Sequence, residues 1–225
     1  MRRSTGVARD PTDAEIHWAP ARYARRIVDL SELPFPWPDV FALMWEAYTA
    51  GTIPVGAVVV DEGDAIVSRG RNRIFDGAAG GQLGRSRLAH AELNALIALG
   101  SERTYEGFAL YTALEPCHLC LAATISVRVG TLSYAASDPY GGAVGKLVPS
   151  ADHEAHPLRV VGPLCGAAGR LPQLLLVAHF LWRVPDGSVA SFFRRFAPDL
   201  VAHAERLPAP DASASLNQAL AAVEP

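Results

Sequence analysis

Four residues of the sequence combine metal-binding and proton-transfer chemistry: His90, Glu92, Cys117 and Cys120. One imidazole and two thiolates suit Zn²⁺ and leave the fourth position of a tetrahedral site open for water. Two thiolates also cancel the charge of the metal, so a bound water can be acidified while the site stays near neutral. Glu92 is too close to His90 in sequence to be a plausible fourth ligand, and its carboxylate is a candidate for proton transfer. The set predicts zinc-dependent hydrolytic chemistry.

The spacing of Cys117 and Cys120 alone fits two other kinds of site. A C-x-x-C pair can be a redox pair near the start of a thioredoxin-like βαβ unit, or half of a structural zinc site. A redox pair does not need the upstream histidine and glutamate, and a structural zinc needs a fourth ligand. Cys165 lies far downstream in a Gly-rich stretch, and His118 points around its helix from both cysteines. The order of the four residue types favours a catalytic site.

The starts of two predicted helices position these residues. The apolar spacing predicts a helix from about Leu88 to Leu99, with His90 and Glu92 in its first turn. The glycines of residues 76–87 predict a mobile loop that leads into this helix.

The second helix begins at Pro116, a residue that is tolerated at the first helical position. Cys117 and Cys120 are three residues apart and therefore face the same side of its first turn. The positive ends of both helix dipoles would meet at the ligands, where they favour thiolate and hydroxide.

The remaining pattern predicts alternating helices and strands. A first helix spans residues 39–50, and the β-branched run 55–60 forms a hairpin of two buried strands with residues 65–68. The order of elements predicts an α/β fold, a three-layer α/β/α sandwich with a mixed central sheet of about five strands. Further strands are predicted at 108–112, 131–135 and 158–161, and further helices at about 170–182 and 188–204.

Composition limits the class of protein and its compartment. The chain has 225 residues, of which 50% are hydrophobic, and this is enough for one well-buried domain with extensions at its ends. A formal net charge of −3 does not make the whole protein an electrostatic trap for nucleic acid. Three cysteines, two of them assigned to metal, leave no disulfide framework, which indicates a reducing, cytoplasmic setting. No secretory signal and no apolar run long enough for a membrane span are visible.

The chain is divided into one domain at residues 37–205, which contains the four candidate residues, and two flanking segments. The N-terminal extension, residues 1–36, is rich in Arg, Pro and Asp, and its run from Arg22 to Arg26 could contact an acidic ligand or form a solvated face. Residues 206–225 are rich in Ala, Ser and Pro and are predicted to be a disordered tail.

Several segments between about Val40 and Tyr134 follow one recognisable pattern. They read Gly-Thr-Ile-Pro-Val-Gly-Ala-Val at 51–58, Arg-Asn at 71–72, His-Ala-Glu at 90–92 and Thr-Ala-Leu-Glu-Pro-Cys-His-Leu-Cys at 112–120. In these segments the chain resembles the cytidine deaminase superfamily, and within it the branch of tRNA adenosine deaminases and guanine deaminases. Ser-Phe-Phe-Arg-Arg at 191–195 resembles the last helix of the tRNA branch more weakly.

The resemblance implies hydrolytic deamination of a ring carbon that carries an amine. His90, Cys117 and Cys120 would hold Zn²⁺, and Glu92 would carry a proton from water to the ring nitrogen and then to the leaving amine. Four substrate contacts are also implied: a backbone hydrogen bond from Ala91, a polar contact from Asn72, and an apolar slot lined by Val55 and Leu114. The less favoured alternative for Asn72 is a turn residue after the hairpin.

The chain departs from the tRNA branch where substrate is bound. Arg-Leu-Ala at 87–89 stands where that branch usually has Asp-Pro-Thr-Ala, and Ser137 to Gly142 replaces a usually basic segment. Asp138 could bind the amino edge of a small ring, as an acidic residue does in guanine deaminases, or belong to an Asp-Pro turn. Tyr140 could stack on the base or close the pocket, or be a turn aromatic without a role. The residues for metal binding and proton transfer are therefore those of the family, whereas the segments that would bind the substrate differ.

Three functions remain open from the sequence. The first is a zinc-dependent deaminase of a free nucleobase, nucleoside or related aminated heterocycle that releases ammonia. The second is a tRNA-editing adenosine deaminase, which the net charge disfavours although Arg194 and Arg195 could form a local basic patch. The third is a zinc-stabilised binding module, against which the presence of Glu92 argues. The resemblance also implies a homodimer, and nothing points to a membrane partner.

Overall fold

The computed structural model describes residues 32–146, 148, 150–210, 215–221 and 223. At its centre is a five-stranded sheet of order β2-β1-β3-β4-β5. Strand β1 is antiparallel to β2 and β3, whereas β3, β4 and β5 run parallel to one another. The mixed five-stranded sheet is confirmed. The strands are β1 (Gly56–Val60), β2 (Ile66–Arg71), β3 (Ala109–Leu114), β4 (Thr131–Ala136) and β5 (Arg159–Val161).

Helices cover both faces of this sheet. Helices α1 and α5 pack on one face, and α2 and α3 pack on the other, while α6, α7 and α8 pack against the outer side of α5. None of the helices in the described ranges is long and apolar enough to cross a bilayer. Their bounds are α1 (Trp37–Thr49), α2 (Ala91–Leu96), α3 (His118–Val127), α4 (Ala151–Ala155), α5 (Gly166–Arg183), α6 (Ser188–Phe196), α7 (Pro198–Ala204) and α8 (Leu216–Ala221).

Two glycines let helices lie close on opposite faces of the sheet. A Cβ on Gly56 would lie 2.4 Å from the Val40 carbonyl oxygen of α1, and a Cβ on Gly70 would lie 2.2 Å from the Ala91 carbonyl oxygen of α2. Gly70 is paired with Ala57, the neighbour of Gly56, and successive residues of a strand point to opposite faces. The close approach at Gly70 holds the first turn of α2 tightly against the sheet.

The hairpin is only half buried. All five residues of β1 are buried, because the strand lies between β2 and β3 and is covered on both faces. Strand β2 lies at the edge of the sheet, and its side chains alternate between buried and exposed. The prediction of two buried strands is therefore wrong for β2.

Two predicted segments differ from the structure, and most of a third lies outside the described residues. Residues 188–204 form two helices that meet at Ala197, because a residue before proline is disfavoured in the helical conformation and Pro198 starts α7. Helix α8 lies within the tail that was predicted to be disordered, and its Leu216 and Ala219 are buried in the core. Of the N-terminal extension, residues 1–31 lie outside the described residues, and the run from Arg22 to Arg26 lies there too.

Candidate active site

Two of the predicted metal ligands lie immediately before the helices. His90 is the N-cap residue of α2 and Cys117 the N-cap residue of α3, both with extended backbone conformations. The sequence placed His90 inside the first turn, because the helix was predicted to begin at about Leu88, three residues before its observed start at Ala91. Cys120 follows in the first turn of α3 and is fully buried. The extended backbone before each helix turns the His90 and Cys117 side chains towards one point.

The three ligand atoms already have the spacing of a tetrahedral zinc site. The Nδ1 atom of His90 lies 3.7 Å from Cys117 Sγ and 3.4 Å from Cys120 Sγ, and the two sulfur atoms are 3.7 Å apart. Zn–S bonds of about 2.3 Å and a Zn–N bond of about 2.05 Å at tetrahedral angles require about 3.8 Å between sulfurs and about 3.6 Å between sulfur and nitrogen. The residues fit Zn²⁺ without rearrangement.

A structural four-ligand site does not form here. The group of ligand atoms found among the described residues contains His90, Cys117 and Cys120 only. His118 is exposed on α3, and Cys165 is the N-cap residue of α5, on the other face of the sheet. The fourth position of the site therefore stays open to water or substrate, as a catalytic zinc requires.

Hydrogen bonds around the ligands set their protonation. The hydrogen bond with Cys120 and the nearby His90 lower the pKa of the Cys117 thiol to about 3, whereas the pKa of Cys120 is raised by the same thiol contact and by burial. The contact with Cys117 raises the pKa of His90, although burial acts in the opposite direction. The Nδ1 atom of the ring faces both thiols.

Glu92 is a buried carboxyl group beside the ligands. It is 4% exposed, and the Thr112 hydroxyl donates a hydrogen bond to its Oε1 atom at 3.2 Å. Its Oε2 atom lies 3.4 Å from Cys120 Sγ. Burial raises the pKa of Glu92 above its ordinary value. A carboxyl group with a raised pKa, held by one oxygen and directed at the ligands by the other, can accept and return a proton near neutral pH.

A cavity of about 500 Å³ opens beside His90. Tyr140 forms part of its wall, with its hydroxyl 2.8 Å from Ser188 Oγ and its ring edge-on to Phe192 at 5.4 Å. The volume is typical of pockets that enclose small molecules. No sequence signal identified the apolar wall, which comes from the segments before β1 and after β2 and from α5 and α6. It consists of Ile53, Ile74, Phe75, Phe180 and Val189.

Two of the predicted substrate contacts have the polar groups that their roles need. Ala91 is the first residue of α2, where the helix supplies no acceptor for its backbone N–H. Asn72 is buried, and its Oδ1 atom accepts hydrogen bonds from the Thr52 hydroxyl at 2.7 Å and from the Ile74 N–H at 3.1 Å. These bonds orient the amide so that its NH₂ group is the end available to a ligand.

Of the predicted substrate contacts, only Tyr140 is among the described residues that line the cavity; the others are Asn72, Ala91, Val55, Leu114 and Asp138. Val55 and Leu114 are buried members of the main core. The Asp138 carboxylate accepts the backbone N–H of Tyr140 at 2.9 Å, the arrangement of an Asx turn, and the Asp138 N–H donates to Glu115 Oε2 at 3.1 Å. Asp138 therefore holds the turn that carries Tyr140, and burial raises its pKa.

The segment between β2 and α2 is tied down, whereas the sequence predicted a mobile loop. The Asn94 amide of α2 accepts the Leu83 N–H at 2.7 Å and donates to the Leu83 and Arg71 carbonyls at 3.2 and 3.0 Å. Asp76 forms ion pairs with Arg71 and Arg73. Polar side chains thus replace the apolar anchors that the glycine-rich sequence lacks.

Comparison with known proteins places this site in a family. Residues 39–136 match the family model of the cytidine and deoxycytidylate deaminase zinc-binding region. Over 107 residues the chain is 41% identical to the tRNA-specific adenosine deaminase of Agrobacterium fabrum. This alignment covers 44% of this chain and 64% of that protein. Over 110 residues it is 39% identical to the tRNA(Ile)-lysidine synthase of Deinococcus deserti, covering 48% of this chain and 19% of that protein.

Among solved structures, the guanine deaminase of Nitrosomonas europaea aligns with a TM-score of 0.49 and 24% identity over 65% of this chain and 85% of that one. The chain thus spans 64% of the length of the adenosine deaminase and 19% of that of the lysidine synthase. The matched region contains all three zinc ligands and Glu92. Through this region, the chain belongs to the cytidine deaminase superfamily.

Proposed function

We propose that the protein is a zinc-dependent hydrolytic deaminase of a free nucleobase, nucleoside or related aminated heterocycle, from which it releases ammonia. The observation that carries this proposal is the position of Glu92. Its buried carboxylate lies 3.4 Å from the sulfur of one ligand, beside a cluster that offers zinc three ligands and an open fourth position. A site that served only to stabilise the fold would not need a buried carboxylate there, because an unpaired buried carboxylate is unfavourable.

The reaction replaces a ring C–NH₂ group by C=O and consumes one water molecule. Zn²⁺ bound by His90, Cys117 and Cys120 would lower the pKa of a water at its open position to about 7. Glu92 accepts a proton from the attacking water at Oε2 and transfers it to the ring nitrogen, as the water oxygen bonds to the adjacent carbon. It then takes the remaining proton of that oxygen and passes it to the amine, so that the C–N bond breaks, C=O forms and ammonia leaves. Thr112 donates its hydrogen bond to Oε1 throughout. The other oxygen, Oε2, therefore faces the water, the ring and the leaving group in turn.

Residues around the cavity hold the ring in place in this proposal. The Ala91 N–H and the Asn72 NH₂ group bind the polar edge of the ring, since both are donors without an intramolecular acceptor in their local structure. Tyr140 covers one face of the ring from the cavity wall, and Asp138 fixes the turn on which Tyr140 lies. Val55 and Leu114 support the slot from the core beneath it.

The test is ammonia release by the zinc-loaded protein from a panel of adenine, guanine and cytosine, their nucleosides and nucleotides, and a tRNA anticodon arm. Glu92→Ala serves as the blank for each substrate. Release from a base or nucleoside supports the proposal and identifies the ring. Release from the anticodon arm alone contradicts the small-molecule assignment.

The second candidate is a tRNA-editing adenosine deaminase that converts adenosine to inosine. The 41% identity to the Agrobacterium enzyme favours it. An RNA substrate predicts binding that weakens steeply with salt, because phosphate contacts release counterions. No release from any substrate, together with unfolding on zinc removal, would instead support a zinc-stabilised binding module.

We also propose that the protein is a homodimer that pairs through the outer face of α2 and α3. This face contains an apolar groove in which Leu88, Ile97 and Leu119 are exposed by 52, 55 and 40%. A contiguous apolar surface of this kind marks an interaction site. Leu119 lies between the two cysteine ligands in sequence, so a second copy would contact the segment that holds the metal. Ile97→Asp should yield a monomer in sedimentation analysis, and a monomeric wild-type protein would contradict the proposal.

The proposed compartment is the cytoplasm. Cys117, Cys120 and Cys165 are all free thiols in the structure. Thiolate ligands must stay reduced to bind metal, and the cytoplasm keeps thiols in that state.

A further inference from the structure

We propose that Glu115 is a positioning residue that fixes Tyr140 in the cavity wall relative to the zinc ligands. The inference rests on the proposed deaminase function, in which Tyr140 covers one face of the ring, and it identifies the side chain that sets where this cover lies. Glu115 is not among the described residues that line the cavity, so its effect on the substrate passes through the segment that it binds.

Glu115 lies between the sheet and the segment that holds the metal. It follows Leu114, the last residue of β3, and precedes Cys117, the N-cap residue of α3, by two positions. Its backbone N–H donates to the carbonyl oxygen of Ala136, the last residue of β4, at 2.7 Å. The sheet therefore fixes the base of the Glu115 side chain beside the ligand segment.

The Glu115 carboxylate binds both ends of the loop that follows β4. We call residues 138–144 the tyrosine loop, because they contain Tyr140. The Oε2 atom of Glu115 accepts the backbone N–H of Asp138 at 3.1 Å, and its Oε1 atom accepts that of Val144 at 3.0 Å. A segment outside helices and sheets needs other acceptors for its N–H groups, and a carboxylate is a stronger acceptor than a neutral group. One side chain thus ties the start of the loop to its end.

The tyrosine loop also packs closely around this carboxyl group. A Cβ on Gly142 would lie 2.4 Å from Glu115 Cδ, so the glycine lets the loop backbone approach the side chain. The Ala143 N–H donates to the Pro116 carbonyl oxygen at 3.0 Å. Close contact and hydrogen bonds together hold the loop to the two residues that precede Cys117.

Tyr140 depends on this loop for its position. The residue is 45% exposed, so the core does not enclose it. Its hydroxyl lies 2.8 Å from Ser188 Oγ, and its N–H donates to Asp138 within the loop. The contact with Ser188 places the tyrosine relative to α6. Glu115 places it relative to the metal ligands, and the distance between the two decides whether a ring fits under Tyr140.

This role predicts a specific kinetic effect. A contact that binds the substrate and the transition state equally affects KM and leaves kcat unchanged. In the proposed function Tyr140 covers the ring and transfers no proton, so its displacement should raise KM alone. If Glu115 only supported the fold, its loss would lower stability and leave the KM of the folded, zinc-loaded protein unchanged.

The first test is a double-mutant cycle of Glu115→Gln and Tyr140→Ala on the zinc-loaded protein, with the substrate that releases ammonia. Glutamine keeps the shape of the side chain but turns an NH₂ group towards one of the two loop N–H groups. We expect Glu115→Gln to raise KM about fivefold and Tyr140→Ala about tenfold, with kcat within about twofold of the wild type. The double variant should raise KM only about tenfold, whereas independent effects would multiply to about fiftyfold. The matched control is Glu205→Gln, an exposed residue at the end of α7, which should keep the wild-type KM.

The second test is amide hydrogen exchange, which requires no turnover. In Glu115→Gln the N–H of either Asp138 or Val144 loses its acceptor. Its protection should fall by at least about tenfold, while the amides of β1 keep theirs because the sheet is unchanged. Glu205→Gln should leave the protection of both loop amides at the wild-type level.

Three results would overturn the proposal: KM increases that multiply in the double variant, loss of zinc from Glu115→Gln, or unchanged protection of both loop amides in that variant. Absence of ammonia release from every substrate would contradict the proposed function. Amide exchange would then still decide whether Glu115 holds the tyrosine loop.

Discussion

His179 should make the protein lose stability in mild acid. The residue lies in α5 and is completely buried, and neither ring nitrogen has a hydrogen-bond partner among the described residues. Its ring stacks on Phe75 at 6.2 Å and meets Phe180 edge-on at 5.2 Å. Burial, with a smaller contribution from the nearby Arg183, lowers the pKa of His179 to about 4. The folded protein therefore keeps this imidazole neutral.

The sign and size of the effect follow from linkage. An unfolded histidine has a pKa of about 6.5, so below that pH the unfolded chain binds a proton that the folded chain does not. Stability is complete above about pH 6.5 and falls as the pH decreases towards 4. With the folded pKa at about 4, the loss is about 2 kcal/mol by pH 5 and about 3 kcal/mol in the limit.

The assay is urea unfolding of the wild type and of His179→Leu between about pH 7.5 and pH 5. Leucine cannot titrate, so the difference between the two proteins isolates this one group and cancels the pH dependence of the zinc ligands. We expect the variant to lose about 2 kcal/mol less than the wild type over this range. Parallel pH profiles would refute the reasoning. Because Phe75 and Phe180 also line the cavity, the wild type should lose turnover in the same range.

Further outcomes follow from the site and the sheet. Cys117→Ala should lose zinc and stability together, and an unchanged zinc content by metal analysis would remove Cys117 from the ligands. Thr112→Val should lower kcat about tenfold at unchanged zinc content, because Glu92 loses the bond that orients it; an unchanged kcat would show that this bond is dispensable. Gly70→Ala should destabilise the protein by more than about 2 kcal/mol in urea unfolding, since its Cβ would lie 2.2 Å from the Ala91 carbonyl oxygen, and near-wild-type stability would contradict the close packing.

The zinc ligands could be predicted from the sequence because local rules decide where they lie. Cys117 and Cys120 are three residues apart at the start of one helix. His90 lies at the start of another helix, 30 residues or fewer before the two cysteines in the sequence. Their convergence needs only the two helix N-termini to meet, which the βα order of the fold provides. The helix start was harder to predict: it was placed at about Leu88, three residues before Ala91, and His90 was therefore assigned to the first turn instead of the N-cap position.

The cavity wall could not be predicted, because distant elements build it. Phe180 and Val189 come from α5 and α6, about 90 residues after the histidine ligand, and nothing in their local sequence distinguishes them from ordinary apolar residues. The break before Pro198 did carry a local signal, because proline restricts the residue before it. The edge position of β2 depends on strand order, which hydrophobicity alone does not show.

The most direct test of the central claim is the turnover of Glu92→Gln at a zinc content equal to that of the wild type. Glutamine keeps the shape of the side chain and its bond to Thr112 but cannot carry a proton at neutral pH. The proposed mechanism predicts that zinc content and thermal stability are kept while ammonia release falls by at least about 100-fold. Wild-type turnover in this variant would show that Glu92 does not transfer the proton and would contradict the mechanism.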